Sequence, residues 1–456
     1  MKRLALALSL LLIAMMVAPT ASAAAKPQWF VDEESLPFDA LEGYEDAEQT
    51  WGIHNNAGYR IEVPANWNGD LIMWTHGYRG EGDRLFFNEP QDEFNPGFRA
   101  WMLEEGYAWA ASTYSKNSYN VSQGVKDTHA LSRFFNGKIG KADDVYIGGY
   151  SMGGHIAAVL AENYGNTYSG AMPLCGVVGD FELFDYFLDV NAAGQQLALG
   201  SSQFPVDDDY LFDEVPDIQA AFGMTVDPAS WFLFQDFPLT AEGEQFKQLV
   251  ELRSGGDRPN FDEAFNFWFS IPADSGLGNF VWELGLGDGT IADGPGVVLD
   301  NTDVTYQVDL DPAISAAEAA LNDGIVRVAP DRQGRAGKGL GKNPPPVTGN
   351  LKMPVLTIHN LGDLFVPFHN EIEYAKDVAD QGKSDMLVQR AVRGVSHCGF
   401  TDAEMIEGMS DLINWAQTGV RPAGDPILDP VAVADPNYGC TFTRNIEQHN
   451  LATPCP

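Results

Sequence analysis

Val145-Tyr146-Ile147-Gly148-Gly149-Tyr150-Ser151-Met152-Gly153-Gly154-His155-Ile156-Ala157-Ala158-Val159-Leu160 is the stretch on which the reading of this chain turns. A β-branched and aromatic run leads into a glycine-flanked serine, and the apolar residues beyond it recur at helical spacing. The pattern predicts a buried strand, a tight turn at Ser151 and a helix. A serine at the tip of so sharp a turn sits at a strained backbone angle, and Gly149 and Gly153, two residues to either side, avoid the collision that side chains would cause there. Ser151 at a helix start also sets the Met152 N–H where a developing oxyanion would be received. Gly-x-Ser-x-Gly matches arise by chance in many chains, so the chemistry rests on partners elsewhere.

Toward the N-terminus, Asp70-Leu71-Ile72-Met73-Trp74-Thr75-His76-Gly77-Tyr78-Arg79-Gly80 reads as a fully apolar strand whose carboxyl end carries a special turn. Tyr59–Val63 alternates and is stopped by Pro64, Tyr107–Thr113 is a second buried strand, and Tyr168–Cys175 follows the serine helix. Helical spacing covers 95–105 and 122–135. Lys26–Gln49 is acidic and proline-containing, an arm expected to lie on the surface. Strands alternating with helices imply a parallel sheet covered on both faces, with ligands at the carboxyl ends of its strands. His76, Ser151 and Cys175 all fall at such ends.

The rhythm stops between about 181 and 350. That segment is rich in acids, glycine and aromatics, including Phe181, Phe184, Tyr186, Phe187, Trp231, Phe232, Phe234, Phe265, Trp268, Phe269, Phe280 and Trp282. Helix-like stretches are predicted at Ala241–Leu252 and Pro312–Leu321, and Gln333–Pro346 reads as an exposed loop. The segment is expected to be an inserted cap whose aromatics mostly form a core of its own. The sheet rhythm returns with Met353–His359 and Met386–Val392, a helix over 370–381, and an amphipathic helix over 402–418. The tail, 421–456, is proline-rich.

A serine hydroxyl is a poor nucleophile that needs a base, and the base needs an orienting acid. Asp363 lies in a loop right after one strand and His397 in a loop after the next, giving the chain order Ser151, Asp363, His397. Four marks, His76-Gly77, Gly149-x-Ser151-x-Gly153, Gly362-Asp363-x-x-Val366-Pro367 and Gly394-x-x-His397, follow in order at predicted strand ends. In these the chain resembles secreted α/β-hydrolase-fold serine esterases of the esterase and lipase type over roughly 55–180 and 351–420. The resemblance implies a mostly parallel central sheet with helices on both faces and a large inserted cap. The domains would then be a core over 24–180, the cap over 181–350, the rest of the core over 351–420, and the tail. It also implies Ser151 as nucleophile, His397 as general base and then acid, Asp363 as orienting carboxylate, and an oxyanion hole from the N–H groups of Met152 and Tyr78. Protonation of His397 would remove the base, so activity is expected to fall at acid pH. Asp180 and Asp402 are the rival acids, read as a surface acid and a helix cap. His76 and His155 are read as structural.

Cys398 directly follows His397. Related esterases of the tannase and feruloyl type are similar in tying the histidine loop by a disulfide to a cysteine beside the nucleophile. Here Tyr150 holds that neighbouring position. By that similarity Cys175 is expected to bridge Cys398, and Cys440 to pair with Cys455. A Cys398–Cys440 pairing and a buried thiol at Cys175 remain the alternatives.

The chain of 456 residues is 45% hydrophobic and 11% aromatic, a globular composition. Met1-Lys2-Arg3, an apolar run from Leu4 to Val17 and Ala21-Ser22-Ala23 describe a secretory signal peptide over 1–23, too short to span a membrane. Removing the cations Lys2 and Arg3 takes the formal charge from −37 to −39, which disfavours nucleic acid and anionic membranes as partners. Four cysteines in an exported chain favour disulfides. No zinc-type spacing is present, and no metal or organic cofactor is implied.

The expected activity is hydrolysis of a small-molecule or polymeric carboxylic ester through an acyl-enzyme, in an extracellular or periplasmic setting. An amidase or peptidase of the prolyl-peptidase type is the rival on the same fold, for which Asp207, Asp208, Asp209 and Glu214 could hold a substrate amine. A noncatalytic binding protein is the rival from another class, and an interfacial lipase a milder variant.

Overall fold

The hairpin of β1 (Glu48–His54) and β2 (Ala57–Val63), paired antiparallel over all seven residues, opens the main sheet of a computed structural model. The structure describes residues 29–88, 95–225, 236–273, 275, 278–283, 286, 289–291, 294, 296–335, 340, 344–449 and 453–455. The expected signal peptide, Trp231, Phe232, Phe234, the Phe280 side chain and part of the 333–346 run lie outside them. Among the described residues no helix is long and apolar enough to cross a membrane.

β1 is absent from the sequence reading because its strand-favouring Thr50, Trp51 and Ile53 are interrupted by Gly52 and preceded by Glu48 and Gln49, which leaves no continuous apolar run. The arm before it does more than lie on the surface. Leu36 and Phe38 are buried, Phe30–Val31 pairs with Arg84–Leu85, and the buried Arg60 guanidinium donates to the carbonyls of Ser35, Leu36 and Pro37.

The chain continues through β3 (Leu71–Thr75), α1 (Pro96–Glu104), β4 (Ala108–Ser112), α2 (Val121–Lys138), β5 (Val145–Tyr150), α3 (Met152–Asn163) and β6 (Gly170–Leu174). Between β6 and the next strand the described residues form α4 (Glu182–Leu199), α5 (Glu214–Phe222), α6 (Ala241–Ser254), α7 (Phe261–Phe269), α8 (Gly278–Glu283) and α9 (Ala316–Gly324). Then come β7 (Val355–Asn360), α10 (His369–Asp380), β8 (Leu387–Val392) and α11 (Asp402–Thr418).

The strand order is β8-β7-β6-β5-β3-β4-β2-β1, parallel from β8 to β4, with β2 antiparallel to both its neighbours. This is an α/β-hydrolase fold. Alternation along each strand supplies both faces. Leu71 and Met73 pack with α2, α3 and α10, while Ile72 and Trp74 pack with α1 and α11.

The helical segment between β6 and β7 shows why pattern reading found only α6 and α9 there. α4 is buried without a break from Leu183 to Gln195, Asp185, Asp189 and Asn191 included, so its burial does not follow polarity. Phe246, Phe265, Phe269 and Trp282 pack ring against ring with centroids 4.6–6.3 Å apart, a core of the segment's own. α9 starts at Ala316, later than the expected Pro312, because Ser315 and Glu318 form a capping box.

The tail runs along the outer strand β8. Asp425 N–H donates to Gln389 O, and its carboxylate accepts from Ala391 N–H, both at 2.8 Å, which closes an otherwise open sheet edge.

Candidate active site

Ser151 joins β5 to α3 at φ 56° and ψ −119°, a conformation that costs an L-residue energy and persists only where the surroundings over-determine it. Its N–H donates to Leu174 O at 3.0 Å. The flanking glycines are steric necessities: a Cβ on Gly149 would lie 1.9 Å from Thr75 Oγ1, and one on Gly153 2.0 Å from Thr75 O. The buried Thr75 hydroxyl lies 2.8 Å from Gly153 O and 3.1 Å from Gly148 O, tying β3 to both arms of the turn. Met152, the first helical residue, carries one of the N–H groups that a helix start leaves without an intrahelical acceptor.

The turn after β3 passes close by, since a Cβ on Gly77 would stand 3.5 Å from Ser151 Cβ. Tyr78 is the next residue. His76 donates from Nδ1 to Gly77 O at 2.7 Å and stacks on Tyr114 at 4.0 Å. Burial, helped by the charge of Arg79, holds its imidazole well below the usual histidine range. A neutral, stacked ring serves the turn's shape.

Asp363, in the turn after β7, is fully buried. Its Oδ1 accepts from the N–H groups of Phe365 and Val366, both at 2.9 Å, leaving Oδ2 to meet His397 Nδ1 at 2.6 Å. His397 sits in the loop after β8, with the Phe365 ring edge-on to it at 4.8 Å. The loops carrying Asp363 and His397 are joined by Gly362 N–H donating to Gly394 O at 2.8 Å. The Ser151 hydroxyl makes no hydrogen bond among the described residues; in unliganded sites such bonds are often long and tighten with substrate.

Cys175 is bonded to Cys398 and Cys440 to Cys455. Cys175 follows Leu174, the residue that receives the Ser151 N–H, so the first disulfide fastens the histidine loop to the strand end beside the serine. Cys175 and Cys398 both have positive φ, 45° and 57°, as does Ser151, and such strain clusters at functional sites. Cys175, His397 and Cys398 bring possible metal-binding atoms within 4.8 Å of one another, but sulfurs joined to each other offer no thiolate. Tyr150, directly before Ser151, packs edge-on to Trp74 and donates to Met405 Sδ at 2.8 Å.

The two rival acids need correcting. Asp180 is not a free surface acid. It is half-buried where the chain leaves the sheet, and burial, opposed by Arg335, pushes its carboxyl up to about 7. Asp402 is not the cap of its own helix: Thr401 is, with Glu404 completing the box, and Asp402 instead accepts from Phe98 N–H at 3.0 Å near the start of α1. His155 is buried between Tyr119 Oη and Pro345 O, and burial holds it down at about 4. Asp207, Asp208 and Asp209 are exposed, a solvated run.

Pattern reading missed Arg258 and gave Trp268 only as one aromatic among many. Both reach the acid loop, and no motif marks either one. A cavity of about 330 Å³ beside the histidine loop is lined in part by Phe267, Ser396, Phe400 and Asp402. A larger cleft of about 530 Å³ between α10, β8 and the tail touches none of Ser151, Asp363 and His397.

The sheet order and the strained strand–turn–helix at Ser151 define an α/β-hydrolase-type protein. No family model matches the chain. It is 22% identical, over 83% of its length and 89% of the other's, to an o-phthalyl amidase from Xanthobacter agilis. Among solved structures it is similar to feruloyl esterase B from Aspergillus oryzae, at 14% identity and TM-score 0.43 over 82% of this chain and 80% of that one. It is also similar to an acylaminoacyl peptidase from Pyrococcus horikoshii, at 10% identity and TM-score 0.34 over 77% of this chain, and it spans only 37% of that peptidase.

Proposed function

We propose that the protein is a secreted serine hydrolase that cleaves carboxylic esters bearing an apolar or aromatic group. The observation that carries this reading is the 2.6 Å bond from His397 Nδ1 to the buried Asp363 carboxylate, at the sheet end where Ser151 is held in its strained turn. Ser151 Oγ attacks the carbonyl carbon while its proton passes to His397 Nε2, and Asp363 holds the ring and stabilises the imidazolium. The N–H groups of Met152 and Tyr78 receive the oxyanion. As the C–O bond to the leaving group breaks, His397 returns the proton to the departing alcohol. Water then repeats the steps on the acyl-enzyme, releasing the acid and free Ser151.

Phe365 stands edge-on to His397 and stacks on Trp268, which favours an aromatic or apolar substrate group. The basic-apolar-small N-terminal pattern and the two disulfides support an oxidising, exported setting.

The test is labelling of the intact protein by a fluorophosphonate, with the adduct located by mass spectrometry. Labelling at Ser151, lost in Ser151→Ala, supports the reading; an unlabelled wild type refutes it and favours a binding protein. The similarity to an o-phthalyl amidase favours a second reading in which the bond is an amide. Turnover of phthalyl anilides at or above that of matched p-nitrophenyl esters would make that the better description.

A further inference from the structure

We propose that Trp268, on the helical segment between β6 and β7, is a positioning residue for the acid–base pair, so that this segment is a structural part of the site and more than a cover over it. The inference rests on the serine-hydrolase reading above. Its indole Nε1–H is shared between Gly362 O at 3.0 Å and Val395 O at 2.8 Å. Gly362 immediately precedes Asp363, and Val395 lies two residues before His397. One donor therefore bridges the loop of the acid and the loop of the base.

Three further contacts make this a built junction. The Phe365 ring stacks on Trp268 with centroids 6.0 Å apart and meets His397 edge-on at 4.8 Å. The buried Arg258, just before α7, donates from Nε to Leu361 O at 2.7 Å. Gly362 has no room for a side chain: a Cβ there would lie 2.8 Å from Gly394 O, 2.8 Å from Val395 Cα and 3.0 Å from Ala264 Cβ on α7. Acid loop, base loop and α7 thus meet at one glycine. Leu364, Val366 and Val395 belong to the same apolar cluster as α4, α6 and α7, so the packing that holds α7 also holds both loops.

Both loops leave the sheet at adjacent strand ends, tied there by Leu361 N–H to Val392 O at 3.0 Å, Gly362 N–H to Gly394 O at 2.8 Å and Asn360 Nδ2 to Gly399 O at 3.3 Å. The shared indole donor adds a side-chain clamp at residues near Asp363 and His397, and so holds the separation of the pair. Loss of the N–H leaves two buried carbonyls without that donor and lets the loops drift. Displacements of about 1 Å at catalytic groups reach a hundredfold in rate.

The experiment compares Trp268→Phe with Trp282→Phe. Trp282 is fully buried in the same segment and its indole nitrogen has no partner among the described residues, so its substitution reports the loss of aromatic packing alone. Should Trp268→Phe not fold, site-specific 3-benzothienylalanine at 268 keeps the shape and removes only the N–H. For a p-nitrophenyl ester, kcat in the Trp268 variant is expected to fall about tenfold or more with KM within about twofold. The low-field proton signal of the His397–Asp363 bond should shift, and Trp282→Phe should leave kcat and that signal near wild type. An unchanged kcat and proton signal in the Trp268 variant, or an equal loss in Trp282→Phe, overturns the inference while leaving the hydrolase reading intact. A wild type that does not label at Ser151 overturns that reading instead, and the proton signal still reports whether Trp268 holds the pair.

Discussion

Removing the two disulfides separately should cost unequal amounts of stability, and the difference follows from where they lie in the chain. Cys175–Cys398 closes a separation of 223 residues and Cys440–Cys455 one of 15. In the chain-entropy account a cross-link removes loop-closure freedom from the unfolded chain in proportion to the logarithm of loop length. That gives about 5 kcal/mol for the long loop and about 3 kcal/mol for the short one at 25 °C. The first site adds a packing loss, since Cys175 is fully buried in the apolar cluster with Trp74 and Met172, whereas Cys455 is exposed. Cys175→Ala with Cys398→Ala and Cys440→Ala with Cys455→Ala are compared by equilibrium guanidinium unfolding, with hydrolysis followed in parallel. The first pair should lose about 2 kcal/mol more than the second and should lose activity while still folded, because its bond fastens the histidine loop beside Ser151. The second pair should keep the activity of the wild type. An equal or larger loss of stability in the tail variant would refute the reasoning.

Other expectations are as direct. Asp363→Asn should lower kcat by roughly 10⁴-fold with little change in KM, read by steady-state kinetics, because the amide favours the wrong histidine tautomer. Gly153→Ala should fail to give soluble folded protein or lose several kcal/mol, about 3 or more, since the new Cβ meets Thr75 O at 2.0 Å. Gly80→Ala, with φ +85° and nothing within 4 Å of its Cβ, should cost only about 1–2 kcal/mol of backbone strain. The half-buried Asp180 binds its proton more tightly folded than unfolded, its carboxyl rising from 3.8 to about 7 through burial. The stability it contributes is therefore present below about pH 4 and lost as pH rises through 7. Asp180→Asn should be more stable than wild type at pH 8, by on the order of 2 kcal/mol, and not at pH 4; equal denaturation midpoints at pH 8 would contradict this.

Local patterns wrote most of the sheet into the sequence. β3 to β8 announce themselves by apolar runs bounded by turn residues, and α11 by its amphipathic period, because each writes its burial into its own short stretch of sequence. The Ser151 turn is legible from the five-residue spacing of its glycines, although the atoms that a Cβ at 149 or 153 would meet belong to Thr75 on β3. Asp363 and His397 could be picked out because strand ends on one edge of a parallel sheet converge whatever the intervening chain does.

What lies between β6 and β7 follows other rules. α4 is buried almost throughout, its acids Asp185 and Asp189 included, so burial there does not follow polarity. α7 does carry an amphipathic period in Phe261, Ala264, Phe265, Trp268 and Phe269, but over only nine residues of an aromatic-dense stretch. Whether Cys398 bonded to Cys175 or to Cys440, and whether Asp402 capped its own helix or reached α1, depended on which side chains folding brought together across hundreds of residues. Trp268 is the clearest case, one aromatic among many between β6 and β7, whose N–H meets the carbonyls near both Asp363 and His397 only in three dimensions. The strands, the glycine-flanked serine turn and the chain order Ser151, Asp363, His397 could be read from the sequence, since these rest on local periodicity and short motifs. The tertiary structure alone decided what holds the acid and base in register, because that depends on packing and hydrogen bonds between segments with no local spacing in common.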